Sequence, residues 1–372
     1  MKRMALRLLA PSIALFCAPA VASGADLEIQ ELPFRAFATC DLAQLGPAFG
    51  LHGNRLVVSA FSVDNFTLFA VKVWDLTTGK AVSSISGPSW AYDVVFSPDG
   101  KLIASCGKVN EYLIYLSDPK TGECIRKLED KEGSIRLVFS PDGKILVAEG
   151  FPSAEKLKRW DTDSWKRLPD LTGFKDRVWS IAFSRDSRLL AVGMEGGNIY
   201  LWEAKSGKPI ATLKGHTKAV ASLVFSEDGK ELLSCGLDQT IRRWEVASGK
   251  AQVIAIEQSP GFRVAAFHPR GTLLATSDGR DILLRDPRTG KPLATIKGTM
   301  DFGRMNFLGK MEVGKMEVMV AALGFSPEGT ILGARRILVV NGKVSPSIVS
   351  LYSVFWEMFE IRFWRVTEKD SK

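Results

Sequence analysis

The apolar residues of this chain fall in short runs separated by turn residues. Tyr92–Phe96 and Lys101–Ser105 are β-rich stretches on either side of Ser97-Pro98-Asp99-Gly100, the pattern of two strands joined by a tight hairpin. The arrangement recurs. Phe96-Ser-Pro-Asp-Gly100, Phe139-Ser-Pro-Asp-Gly143, Phe183-Ser-Arg-Asp-Ser187, Phe225-Ser-Glu-Asp-Gly229, Phe267-His-Pro-Arg-Gly271 and Phe325-Ser-Pro-Glu-Gly329 are copies of one turn, and Phe49-Gly-Leu-His-Gly53 is a weaker copy. Their phenylalanines are 47, 43, 44, 42, 42 and 58 residues apart in chain order. Pro fixes φ, Asp supplies a side-chain acceptor and Gly takes φ > 0, so the motif predicts a tight turn.

A second motif ends a strand and opens another turn. It reads Trp74-Asp75 before Thr78-Gly79-Lys80, Trp160-Asp161, Trp202-Glu203 before Ser206-Gly207-Lys208, and Trp244-Glu245 before Ser248-Gly249-Lys250. Divergent copies are Ser117-Asp118, Arg285-Asp286 and Trp364-Arg365. One repeat of about 42 residues therefore holds four short strands and three turns. A single such sheet cannot bury both faces, so the sheets are expected to pack face to face in a ring.

These residues resemble the WD40-repeat family, over about residues 27–367. The resemblance implies an all-β fold, a seven-bladed β-propeller of four-stranded antiparallel blades. It also implies closure by an N-terminal strand, from Leu27–Ala38, completing the last blade. Family repeats often tie a blade with a hydrogen-bonded His, Ser/Thr, Asp and Trp. Only the fifth repeat has the whole set, as His216, Ser234, Asp238 and Trp244; the fourth has Phe174 and Gly196 at the His and Asp positions. The family role of these residues is structural, so no catalytic role is assigned to them.

The resemblance places positions six and four before the motif Phe at the mouth of the central channel, on the face commonly used for partners. Trp90 and Tyr92 stand there in the second blade, Arg177 and Trp179 in the fourth, and Arg263 in the sixth. Aromatic residues and Arg are enriched at interface hot spots; the alternative is that the two Trp side chains pack between blades. Two insertions, at about 297–320 and 336–358, fall in loops of the same face. The first carries Phe302, Arg304 and Phe307; the second is strongly apolar and includes Trp356 and Phe359. An exposed apolar patch there would mark a binding site, and the alternative is an extra hairpin with its own small core.

Composition changes this picture little. The net charge of +8 would invite a nucleic-acid reading if the basic residues clustered, but they are scattered between repeat turns. The N-terminus is different. Lys2, Arg3 and Arg7 precede an apolar run from Leu8 to Phe16 and the small residues Ala20-Val21-Ala22-Ser23, the pattern of a secretory signal peptide over residues 1–23. The run is too short to span a bilayer comfortably, so an exported, periplasmic or secreted protein without a stable membrane span is expected. Cys106 and Cys235 hold equivalent places in two repeats and are expected as buried thiols; a Cys40–Cys124 bond stays open. His52, His216 and His268 are the only histidines, in three different blades, and there is no CxxC, phosphate loop or Gly-x-Ser-x-Gly elbow. No catalytic residue, metal or cofactor is expected. The leading reading is a binding scaffold for a protein or peptide. The alternative is a propeller enzyme or small-ligand binder similar to the lactonase-like or quinone-cofactor families, against which Trp74, Trp160, Trp202 and Trp244 before the turn speak.

Overall fold

A computed structural model describes residues 27–39, 49–60, 70–85, 87–88, 90–108, 112–130, 132–150, 156–255, 264–297, 316–340 and 358–368. Every regular element among them is a strand, and the strands form seven four-stranded antiparallel sheets. Six sheets take consecutive strands from channel to rim; blade 5, for example, is Val220–Phe225, Glu231–Gly236, Thr240–Glu245 and Ala251–Ala255. Blade 7 is made from both ends of the chain. Met316–Phe325, Ile331–Val340 and Met358–Glu368 are completed on the rim by Leu27–Thr39, which pairs from Leu27↔Glu368 to Thr39↔Met358.

The core follows from this geometry. Each sheet is apolar on both faces and buries them against its two neighbours, so the buried residues form seven clusters, one at each blade junction. Cys106, Ile114 and Leu116 of blade 2 meet Leu137, Leu146 and Trp160 of blade 3. The ring closes where Ile331 of blade 7 packs with Leu51, Leu56 and Val58 of blade 1. The thiols of Cys106 and Cys235 are fully buried, and burial pushes both well above their ordinary range. Cys124 is a free thiol, and Cys40 lies outside the described residues.

The two turn motifs fold as their residues dictate. In the first, Ser97 Oγ donates to Asp99 Oδ1, and Asp99 Oδ1 accepts from the Lys101 amide. Gly329, at φ 80°, shows why Gly ends the motif: beyond the backbone requirement, a Cβ there would collide with the His268 ring of the preceding blade. In the second motif, Asp75 Oδ1 accepts from the amides of Thr77 and Thr78, and these bonds hold its carboxyl below the usual range.

In blade 5 the indole N–H of Trp244 donates to Ser234 Oγ at 2.8 Å. His216 Nε2 lies 2.7 Å from the same oxygen and Nδ1 3.0 Å from Asp238. Burial lowers the His216 pKa, consistent with a neutral ring that accepts from Ser234 and donates to Asp238. Other blades solve the same problem differently. In blade 4, Val192 replaces the serine, and Trp202 Nε1 has no partner among the described residues. Asp176, from the entering loop, replaces the missing turn carboxylate: its Oδ2 accepts from the Gly196 amide at 2.9 Å, and a Cβ at Gly196 would occupy its place. In blade 3 a buried Lys158–Asp130 pair, shared with Ser134 and Gly133 O, sits in the equivalent space. In blade 6, Arg285 stands in for Trp, donating to Thr276 Oγ1 and Gly290 O.

Candidate functional site at the channel mouth

The first strands of all seven sheets line one central channel of about 1480 Å³. Their register carries a common irregularity. Tyr92, Ile135, Trp179, Ala221 and Ala321 are each an extra residue, skipped in the pairing of the inner strand with the next strand. All five lie four residues before the motif Phe. A β-bulge leaves its extra residue unpaired and re-aims it, and Tyr92, Ile135, Trp179 and Ala221 line the channel.

After four of the five bulges, the next residue stitches its blade to the following one. Asp93 Oδ2 accepts from the Leu137 amide at 2.7 Å, and Arg136 Nη1 donates to Trp179 O at 2.8 Å. Ser180 Oγ donates to Val220 O at 2.7 Å, and Ser222 Oγ accepts from the Phe267 amide at 3.2 Å. Four consecutive junctions, from blade 2 to blade 6, are thus held beside the bulges, and the bulged residues sit on a fixed frame.

Of the residues expected at the mouth, Tyr92, Arg177 and Trp179 all line the channel; Arg177 is exposed and the two aromatics are half-buried. Trp90 begins the inner strand of blade 2, and Phe359 lies in the third strand of blade 7 opposite Ala38 and Ile337. Arg263, Phe302, Arg304, Phe307 and Trp356 lie outside the described residues. The strands of blade 7 run ten to thirteen residues, against four to seven in the other blades, so this blade extends into both stretches expected as insertions.

Sequence reasoning missed a charged cluster inside the channel. Glu149, on the second strand of blade 3, is 1% exposed, and its Oε2 lies 3.3 Å from Arg136 Nη1. Burial raises the Glu149 pKa, against the opposing pull of Arg136 and Arg177. Burial likewise pushes Asp93 up to about 6, against the amides of Leu137 and Val94 and the charge of Arg136. The available signal was a carboxylate in the apolar run Ile145-Leu-Val-Ala-Glu149, on a strand buried at every position. Among the described residues, no group of three His, Cys, Asp or Glu is placed to hold a metal ion.

Three segments of the chain, residues 79–108, 165–203 and 207–245, match the WD domain, G-beta repeat family. Residues 165–203 and 207–245 each begin on the rim strand of one blade and run through the three inner strands of the next. The chain is a seven-bladed β-propeller with WD40-type repeats in these three segments. No curated protein matches it. WD40 propellers are common protein-interaction scaffolds and are generally not enzymes. The straddling repeat explains the closure of this propeller, since a unit that starts on the previous blade leaves one rim strand to be supplied at the seam. Among the described residues, no helix is long and apolar enough to cross a membrane.

Proposed function

We propose that this WD40 propeller is an exported, non-enzymatic scaffold that binds a protein or peptide at the channel mouth where the inner strands begin. The observation that carries the reading is the display of Tyr92 and Trp179 on bulges with Arg177 beside them, on a frame stitched from blade to blade. Large rings and guanidinium groups held in place lose little entropy on binding, and these residue types dominate interface energetics. Export is supported by the charged, apolar and small-residue pattern of residues 1–23.

Affinity capture from the native cell envelope followed by mass spectrometry tests the reading. Trp90→Ala with Trp179→Ala should leave the melting temperature within a few degrees and remove the captured protein. Capture undiminished by the pair would place the interaction elsewhere. A bound small molecule with no protein partner would argue for the small-ligand reading.

A further inference from the structure

The mouth face carries an uneven charge distribution. In blade 3, the loop acids are neutralised within the fold: Asp130 is paired with Lys158, and Glu132 with Lys156 at 2.7 Å. The next two entering loops are different. Lys175 and Arg177 in the loop before blade 4, and Lys214 and Lys218 in the loop before blade 5, are all exposed, and none forms an ion pair with a described residue. Beneath the second loop lies the Arg242 guanidinium, against Gly215 and 6.0 Å from the Trp244 ring centre. The carboxylates nearby are turned inward. Asp176 accepts from the Gly196 amide, and Asp238 is held by His216, Thr217 and Thr240. Glu195 is the one exposed acid on the adjoining turn of blade 4.

We infer that the sector of the mouth formed by blades 4 and 5 recognises an acidic peptide segment, one that sets carboxylates against Lys175, Arg177 and Lys218 and an apolar side chain against Trp179. This rests on the peptide-binding reading above and adds the chemistry of the partner. The physical ground is complementarity. Five cations, none of them in an ion pair with a described residue, raise the local potential, which steers an anionic partner and rejects a cationic one. The half-buried Trp179 at the channel edge supplies the apolar contact that charge alone cannot. A nucleic acid would also answer to the positive charge. However, among the described residues of blades 4 and 5 the lysines sit on two loops beside one displayed ring, Trp179, and no run of aromatic platforms for successive bases accompanies them.

The test is fluorescence anisotropy on the full chain with four labelled probes of equal length. These are a Glu/Asp-rich decapeptide containing one Phe, its Gln/Asn counterpart, its Lys counterpart and a thymidine decamer. The acidic peptide should bind at least tenfold tighter than the other three. Its affinity should fall steeply between 50 and 300 mM salt, and should drop at least tenfold in Lys175→Glu/Arg177→Glu/Lys218→Glu. Retention of affinity by Lys175→Arg/Lys218→Arg separates charge from shape, and circular dichroism checks folding of each variant. Equal or better binding of the neutral or basic peptide, preference for the oligonucleotide, no acidic peptide bound at all, or affinity unchanged by charge reversal would overturn the inference. If the charge-reversed variant still captures the cellular partner while Trp179→Ala does not, the mouth reading stands and the acidic partner falls.

Discussion

Asp93 does two tasks at one position. Its carboxyl accepts the Leu137 amide across a blade junction, and burial holds its pKa at about 6, well above the ordinary 3.8. A raised carboxyl pKa means that the fold favours the protonated form. Its contribution to stability is present below about pH 4 and is lost as pH rises through 6, by up to about 3 kcal/mol. The urea midpoint should therefore rise on lowering pH from 7 to 5, and Asp93→Asn should flatten that rise; an unchanged profile would assign that dependence to other groups, Glu149 among them. Ser234 is the corresponding linchpin of blade 5. Ser234→Ala removes the partner of both Trp244 Nε1 and His216 Nε2, each in a buried setting. About 2–4 kcal/mol of destabilisation is expected in denaturant unfolding. A loss under 1 kcal/mol would show that the set is redundant.

At the scale of strands and turns, local chemistry was legible and displaced geometry was not. Pro-Asp-Gly and Thr-Gly-Lys announce their turns because each residue has a backbone reason to be there, and the structure has Gly100, Gly143 and Gly79 at positive φ accordingly. A bulge has no such residue. Tyr, Ile, Trp and Ala all occupy it, so the periodic position could be counted in the sequence but its extra-residue character could not. Substitutions among the blade-tying sets were legible as absences, Phe174 and Gly196 above all. Their compensation was not, because Asp176 reaches Gly196 only through the fold. Gly196→Ala tests that compensation: its Cβ displaces the Asp176 carboxylate, and the variant should melt measurably lower than wild type, whereas Asp176→Ala/Gly196→Ala should recover part of the loss.

For the whole molecule, the turn copies and the repeat resemblance announced seven blades, and the resemblance pointed to Leu27–Ala38 as the closing strand. The channel charges did not show themselves, because Asp93, Arg136, Glu149 and Arg177 come from three blades and meet only when those blades pack side by side. Closure rests on the pairing of Leu27–Thr39 with Met358–Glu368 and on the packing of Leu27 and Ile29 into the junction of blades 6 and 7. Deleting residues 27–39 should leave blade 7 with a raw edge, replace one cooperative transition by a broadened one, and promote association in sedimentation analysis. Adding the 27–39 peptide in trans should partly restore the sharp transition. A monomeric, cooperatively melting deletion would show that three strands suffice at the seam.

The bulges also bear on how such a ring diversifies. Because the extra residue takes no part in strand pairing, its side chain is chosen free of the demands of the sheet, while the residue beside it keeps the ring in register. The mouth is thus a set of interchangeable slots at a fixed radius, filled here by Tyr92, Ile135, Trp179 and Ala221. Exchanging the contents of two slots would move a recognition determinant from one blade to another by a single substitution at each, with the barrel of strands behind them untouched.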